Sequence, residues 1–392
     1  MRIVHVLNGH GPIYGVERHV LTLAGAQKER GHSIMAMTNI DAEFADACRT
    51  NGIQVTVNPR LEPMNDHGLY LDAQIMENAI KSLGAQLADF RADLIHCHNP
   101  LSASLAIPAA NRAHIPCFLT LHIEPKPEFF SQSKHLRFAV IAVSTLVFNK
   151  AQAVVSPGTD LYLVPNGTQT MPPENTNSRR PYRPNLMMVG TLHPLKGVDA
   201  AISAMFRLRL RLGQDCPTLN VYGSGQAPWV DFYKEMAAVL GLADIVSFHG
   251  SRPGILRDCP AGDILIVASR NESGPLVVLE AMSRGMPIVT SRVGEVTEML
   301  PDKRYGRIVA VNSITELANA IESTVRDVKS GRFEPELVIA RHRSFFSDIA
   351  MAKRTEEIYA TVMSKQAATR PGGLLRPGAA GQAFRTDHQR AG

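Results

Sequence analysis

Aromatic residues make up only 6% of the chain, with a single tryptophan among 392 residues. So thin a supply argues against a stacking platform for nucleic-acid bases and against a carbohydrate-binding module, both of which need exposed rings. Cysteine is scarce too: Cys48, Cys97, Cys117, Cys216 and Cys259 form an odd set with no C-x-x-C pair. This composition excludes a full disulfide framework and a thiolate zinc site, and predicts free thiols in a reducing cytoplasm. No apolar run approaches the roughly 18 residues of a membrane span. The opening Met1-Arg2-Ile3-Val4-His5-Val6-Leu7 is too short for a signal peptide and reads as a buried strand. Any membrane contact is therefore expected to be peripheral. No sequence repeat relates the two halves.

What is present is ordinary globular material, 45% hydrophobic and 20% charged. A single core rarely grows beyond about 250–300 residues, so two domains are expected. The net charge is +5. From Gln366 onward, Arg370, Arg376, Arg385 and Arg390 stand against Asp387 alone, so the end of the chain carries much of that excess. A basic balance suits anionic partners such as phosphates or an anionic membrane surface.

Short apolar runs alternate with helix-period segments. Ile3–Leu7, Ser33–Met37, Gln54–Val57, Leu94–Cys97, Cys117–Leu121, Val140–Ser144 and Ala153–Val155 read as strands. Val16, Val20, Leu23 and Ala24 share one helical face, as do Ile75, Ala79, Leu83 and Leu87. The pattern breaks at 172–184, PPENTNSRRPYRP, which reads as a linker. Strands then resume at Leu186–Val189, Thr218–Tyr222, Val246–Phe248, Ile264–Val267, Ile288–Thr290 and Arg307–Val309, with helices near 197–212, 229–241, 275–285 and 314–328. The expected architecture is α/β, with two doubly wound Rossmann-like domains facing across a cleft. Residues 1–171 form the first, acceptor-side domain, and residues 185–345 the second, donor domain. A helix within 346–365 is expected to cross back to the first domain, and 366–392 reads as a disordered tail.

In doubly wound sheets, ligands bind outside the carboxyl ends of the strands, so the segments after each strand carry the chemistry. After the first strand, Gly9, Gly11 and Gly15 precede a helix whose N–H groups suit a phosphate, although their spacing is not a dinucleotide fingerprint; a simple tight turn explains them equally. His96 and His98 lie two apart at a strand end, with no third ligand nearby in sequence, so no metal site is expected. His122 ends another strand. Gly190-Thr191-Leu192-His193-Pro194-Leu195-Lys196 runs from a strand to a lysine at a helix start, a good diphosphate clamp, and Gly223 marks a second glycine turn. The most specific stretch is Glu272-Ser273-Gly274-Pro275-Leu276, followed by Glu280: loop carboxylate, helix start, helix carboxylate. It offers N–H groups for phosphate and carboxylates for hydroxyls, although acids near a helix start also serve as plain dipole partners.

Taken in order, these segments resemble the retaining nucleotide-sugar glycosyltransferases of the GT-B fold, the group called glycosyl transferases group 1 or family four. The likeness covers about residues 1–364. It rests on Glu272-x7-Glu280 with Ala281-Met282, Gly285-x-Pro287-Ile288-Val289, Gly294-x3-Glu298, Val164-Pro165-Asn166-Gly167 and Gly15-Val16-Glu17-Arg18. The resemblance implies that Gly15 offers its N–H to the donor phosphate and that His122 lies under the donor sugar. Lys196 would hold the diphosphate, Glu272 the sugar hydroxyls and Glu280 the ribose. Ser273, Gly274, Pro275 and Leu276 would line the sugar and phosphates, with Thr191 and Gly223 beside them. Tyr14 and His98 fall on the acceptor side.

Three positions depart from the family pattern. Thr191 stands where arginine is common, which removes one phosphate-neutralising charge. Tyr14-Gly15 replaces a glycine pair, and Thr168-Gln169 replaces an aliphatic residue and an acid. The implied reaction is transfer of a hexose-type sugar, with retention, from a donor such as a UDP-sugar or GDP-mannose to a glycan or lipid-linked acceptor. The implied setting is bacterial polysaccharide or lipopolysaccharide synthesis, in the cytoplasm or at the inner face of its membrane. No cofactor, metal or nucleic-acid partner is expected. The alternatives are a GT-B nucleotide-sugar epimerase, a Rossmann-type NAD-dependent oxidoreductase, and a degenerate partner subunit. The loops at 59–72 and 124–136 are expected to shape the acceptor pocket.

Overall fold

The computed structural model describes residues 1–9, 11–61, 73–171, 184–260 and 262–368. Most of the expected linker, the larger part of the 59–72 loop and nearly all of the expected disordered tail lie outside the described residues.

The first domain alternates strand and helix: β1 (Arg2–Leu7), α1 (Gly15–Glu29), β2 (Ser33–Thr38), α2 (Glu43–Thr50), β3 (Gln54–Val57), α3 (Ala73–Phe90), β4 (Leu94–Cys97), α4 (Pro100–Arg112), β5 (Cys117–Leu121), α5 (Pro127–Gln132), β6 (Ala139–Ala142), α6 (Thr145–Gln152) and β7 (Leu161–Leu163). The second domain repeats the plan: β8 (Leu186–Val189), α7 (Val198–Leu212), β9 (Leu219–Tyr222), α8 (Ala227–Val239), β10 (Val246–Phe248), α9 (Ile255–Asp258), β11 (Ile264–Val267), α10 (Leu276–Ser283), β12 (Ile288–Ser291), α11 (Val296–Met299), β13 (Arg307–Val309), α12 (Ile314–Lys329) and α13 (Pro335–Arg341). A last helix, α14 (Asp348–Ala368), follows.

The seven-stranded sheet is ordered β3-β2-β1-β4-β5-β6-β7 and the six-stranded sheet β10-β9-β8-β11-β12-β13. Their strand pairings are parallel. Parallel sheets are covered on both faces, so their strands need continuous apolar runs, as in the fully buried Ile264–Val267. Strand order reverses between β1 and β4 in one sheet and between β8 and β11 in the other. Each reversal opens a crevice at the carboxyl ends, because the crossover helices leave in opposite directions.

Alternation along β1 sends Val4 and Val6 to one core layer, where they meet Leu83 and Leu87 of α3, and Ile3 and Leu7 to the other, where they meet Val20 and Leu23 of α1. Helix α14 belongs to the second layer: Met351, Ala352, Tyr359 and Val362 complete it, and Arg30 of α1 makes a forked ion pair with Glu356. The crossing into α14 is close-packed. A Cβ at Gly167 would lie 2.6 Å from the Ser347 carbonyl oxygen. Buried Thr168 bridges to Ser347 and contacts His342 Nε2 through its hydroxyl at 2.9 Å. The hydroxyl at 168, a departure from the family pattern, thus has a structural partner.

Several expectations need correction. Ala153–Val155 is not a strand: the Val154 and Val155 N–H groups both donate to the Ala151 carbonyl and finish the end of α6. The edge strand is β7, which pairs with β6. Ile75 is exposed rather than part of the apolar face of α3. The last helix runs to Ala368, beyond the expected end at 365. Helices α2, α4, α5, α6, α9, α11 and α13 are additional to those expected.

The Tyr359 ring is fully buried and its hydroxyl meets His96 Nδ1 at 2.5 Å. Tyr359→Ala therefore removes a core aromatic and takes away the partner of His96 Nδ1, while His96 Nε2 keeps its bond to Thr120. It should cost about 3–5 kcal/mol in urea unfolding; a loss below about 1 kcal/mol would contradict the docking of α14.

Candidate donor site and the histidine cluster across the cleft

At the β8/β11 crevice the structure brings together residues far apart in sequence. Gly190, Thr191 and Lys196 follow β8, while Ser269 and Glu272 follow β11. Together they line a small cavity of about 30 Å³. Lys196 Nζ lies 2.6 Å from Glu272 Oε1, which also accepts from Ser269 Oγ at 2.9 Å. The carboxylate is thus held in one orientation, with a cation beside it. Gly294 supports this loop from below. Its φ is +49°, and a Cβ there would sit 2.4 Å from the Ser273 carbonyl oxygen and 2.6 Å from that of Glu272. Pro275 is the extended N-cap of α10 and makes no side-chain cap bond, so no capping side chain competes for the first N–H groups after Ser273 and Gly274. Leu276 opens the helix.

Glu280 lies within α10. Its Oε1 accepts from Arg18 Nη1 of α1 at 2.8 Å, a bond between the two domains. Thr191 is exposed. Arg270, the nearest arginine in the loop, does not replace the missing charge there, because its guanidinium is bound to Asp199 and Asn312. Gly223 donates its N–H to the Gly250 carbonyl and packs where a Cβ would meet the Gly190 oxygen at 1.8 Å. Its place is a close approach of two turns rather than an N–H offered to a ligand. A larger cavity of about 480 Å³ opens between β13 and α12 and shares none of these residues.

On the opposite wall, α1 begins at Gly15, beside open space, with Tyr14 half exposed as its N-cap and the Tyr14 N–H donating to Glu17 Oε2 at 3.1 Å. One turn into α1, His19 enters a group that sequence spacing did not reveal. His5 lies opposite His96 in the β1/β4 register, His98 follows β4 and His122 follows β5. The His96 and His98 rings stack at 4.3 Å, and His19 meets His122 edge-on at 4.6 Å. His98 is 1% exposed, so it lies inside this cluster and not on an open acceptor surface. The missing information was the strand order: with β1 beside β4, His5 lies opposite His96 and its Nδ1 reaches His98 Nε2 at 2.9 Å.

Two further residues join the walls. Asn166 takes the His19 Nδ1 proton on Oδ1 at 2.9 Å and donates Nδ2 to the Gly274 carbonyl at 3.2 Å. Buried Glu295 accepts from the Thr145 N–H at 2.7 Å and from its hydroxyl at 2.9 Å. Burial raises the Glu295 carboxyl above its usual range, against the pull of those two bonds.

Burial also holds the cluster neutral. Desolvation lowers His5 and His19 to about 4, with bonds to Gln27 and Asn166 opposing it, and pushes His96, His98 and His122 well below the usual imidazole value. His342 is likewise lowered to about 4 by burial. Each lowered imidazole contributes full stability above the unfolded value near 6.5 and loses it as the pH falls towards the folded value. His5, His19 and His342 each contribute on the order of 3 kcal/mol to this loss. Urea midpoints should therefore fall steeply between pH 6.5 and 4; a flat profile would contradict a neutral cluster.

The family model described as Glycosyltransferase Family 4 matches residues 13–170, and that described as Glycosyl transferases group 1 matches residues 183–327. A D-inositol 3-phosphate glycosyltransferase of Corynebacterium aurimucosum is 30% identical over 308 residues, 69% of this chain and 72% of the relative. A glycosyltransferase from Rickettsia africae superposes with a TM-score of 0.74 at 17% identity, covering 92% of this chain and 98% of the other. Anabaena Alr3699/HepE, solved in complex with UDP-glucose, superposes at 0.73 and 19% identity, covering 92% and 99%. With two doubly wound sheets meeting at their carboxyl ends and relatives matched along both, the chain belongs to the group 1 glycosyltransferases of the GT-B fold, which transfer a sugar from a nucleotide sugar.

Proposed function

We propose that the protein moves a hexose-type sugar from a nucleotide-sugar donor to a hydroxyl of a glycan or lipid-linked acceptor, with retention, in bacterial cell-surface polysaccharide or lipopolysaccharide synthesis. The observation that carries this reading is the pairing of Lys196 with Glu272 beside the uncapped start of α10. Before the donor arrives, cation and carboxylate satisfy each other. With a donor bound, Lys196 turns to the diphosphate and Glu272 accepts from sugar hydroxyls. Neutral His122 projects from the opposite wall, beneath the sugar. Glu280 exchanges Arg18 for the ribose hydroxyls. Ser273, Gly274 and the first turn of α10 receive phosphate oxygens.

In the reaction the anomeric C–O bond to the diphosphate breaks and the acceptor oxygen attacks from the same face. The acceptor proton passes to the departing phosphate oxygen. Lys196 and the α10 N–H groups stabilise the growing negative charge, so the step needs no metal. The UDP-glucose complex of HepE, on the same fold, supports a UDP-sugar as the first donor to test. No helix among the described residues is long and apolar enough to cross a membrane. A lipid-linked acceptor would therefore be met at the bilayer surface, helped by the net +5 charge.

A panel of UDP- and GDP-sugars, scored by nucleotide release with and without glycan, lipid-linked and inositol phosphate acceptors, tests the reading. Lys196→Ala and Glu272→Ala should each lower turnover by about 100-fold or more while remaining folded; wild-type turnover in both would refute the assigned site. Product NMR should show the donor's anomeric configuration kept, and inversion would refute the stereochemical proposal.

A further inference from the structure

Among the described residues, three buried imidazole nitrogens in the cluster have no hydrogen-bond partner: His19 Nε2, His98 Nδ1 and His122 Nε2. These three histidines each offer one ring nitrogen such that all lie within 4.8 Å of one another. Neighbouring bonds fix the proton positions on two of the rings. The Gly274 carbonyl can only accept, so Asn166 must turn Nδ2 towards it and Oδ1 towards His19. His19 therefore carries its proton on Nδ1, leaving a bare lone pair on Nε2. Gln27 Oε1 accepts from His5 Nε2 at 2.8 Å, which leaves His5 Nδ1 bare to accept from His98 Nε2 at 2.9 Å. His98 is then bare at Nδ1. Bare, buried lone pairs on His19 and His98 beside an unpartnered nitrogen of His122 are costly unless something electrophilic joins them.

We infer that His19, His98 and His122 form a three-imidazole site for a borderline divalent transition ion, with Zn²⁺ or Co²⁺ as the natural occupants. The donor set is all nitrogen, which disfavours Mg²⁺ and Ca²⁺ and suits zinc and cobalt. Zinc–imidazole bonds of about 2.0–2.1 Å place ligand nitrogens roughly 3.4 Å apart in a tetrahedron, so a modest contraction closes the site. His19 and His98 are oriented from behind by Asn166 and by the His5–Gln27 relay, as metal-bound histidines usually are. His122 is only partly buried, which leaves a path from the cleft. With three ligands from the chain, a fourth position remains for water or another small donor.

The test is a Co²⁺ titration of the chelator-stripped full chain, followed by visible absorption and then displacement by Zn²⁺. One equivalent of tetrahedral-type Co²⁺ should bind, with affinity at least tenfold weaker in both His19→Gln and His98→Gln. It should be unchanged in His249→Gln, which alters an exposed histidine on the other domain. Absence of saturable binding in the wild type, or unchanged binding in both cluster variants, would overturn the site. Should the variants fail to fold, X-ray absorption on cobalt-loaded wild type decides: three imidazoles support the site, and one or none refutes it. No nucleotide sugar enters the titration, so its outcome is independent of the transferase reading.

Discussion

The cleft is organised around one side chain. Asn166 lies just beyond the last strand of the first sheet and is 6% exposed. Through its two amide atoms it fixes His19 on one wall and the Gly274 carbonyl on the other. A Cβ at Gly274 would sit 3.1 Å from Asn166 Nδ2, so the loop approaches this closely because residue 274 is glycine. Everything on the donor side that needs a fixed loop, from Glu272 to the start of α10, is positioned relative to that contact. Arg18–Glu280 and Thr145–Glu295 join the walls on other contacts, and α14 returns over the first domain to cover the histidine layer.

The two walls have opposite electrostatic character. The wall at the β8/β11 crevice carries charge: Lys196 is paired with Glu272 and Glu280 with Arg18, at positions open to solvent in part. The other wall carries neutral, desolvated imidazoles whose protons are assigned by neighbours. Exposed pairs are worth little in stability and are easily exchanged, whereas buried polar groups are held in place by the bonds they make. The first arrangement suits a site that opens for a diphosphate; the second suits a rigid surface held against a sugar.

Much of this was legible from the chain alone. Short apolar runs alternating with helix-period segments, and the Pro-rich break at 172–184, pointed to two α/β units, and Glu272, Glu280 and Lys196 stood out because each follows a strand at a glycine or proline turn. What escaped was long-range. His5 and His19 looked like ordinary strand and helix residues, since nothing local says that β1 will pair with β4. Asn166 and Glu295 act across the domain boundary, which no periodicity reports. Ala153–Val155 looked like a strand because three small apolar residues satisfy a helix end as readily as a sheet edge. Thr191 remains exposed, and Arg270 does not take over the missing charge because its guanidinium is bound to Asp199.

The nucleotide sugar is proposed to sit at the β8/β11 crevice and to dissolve the ion pairs found there. A crystal structure with the nucleoside diphosphate of the accepted donor tests it most directly. Diphosphate oxygens are expected on Lys196 and the first turn of α10, with the ribose on Glu280 in place of Arg18. A nucleotide bound in the cavity between β13 and α12, with Lys196–Glu272 and Arg18–Glu280 undisturbed, would contradict it.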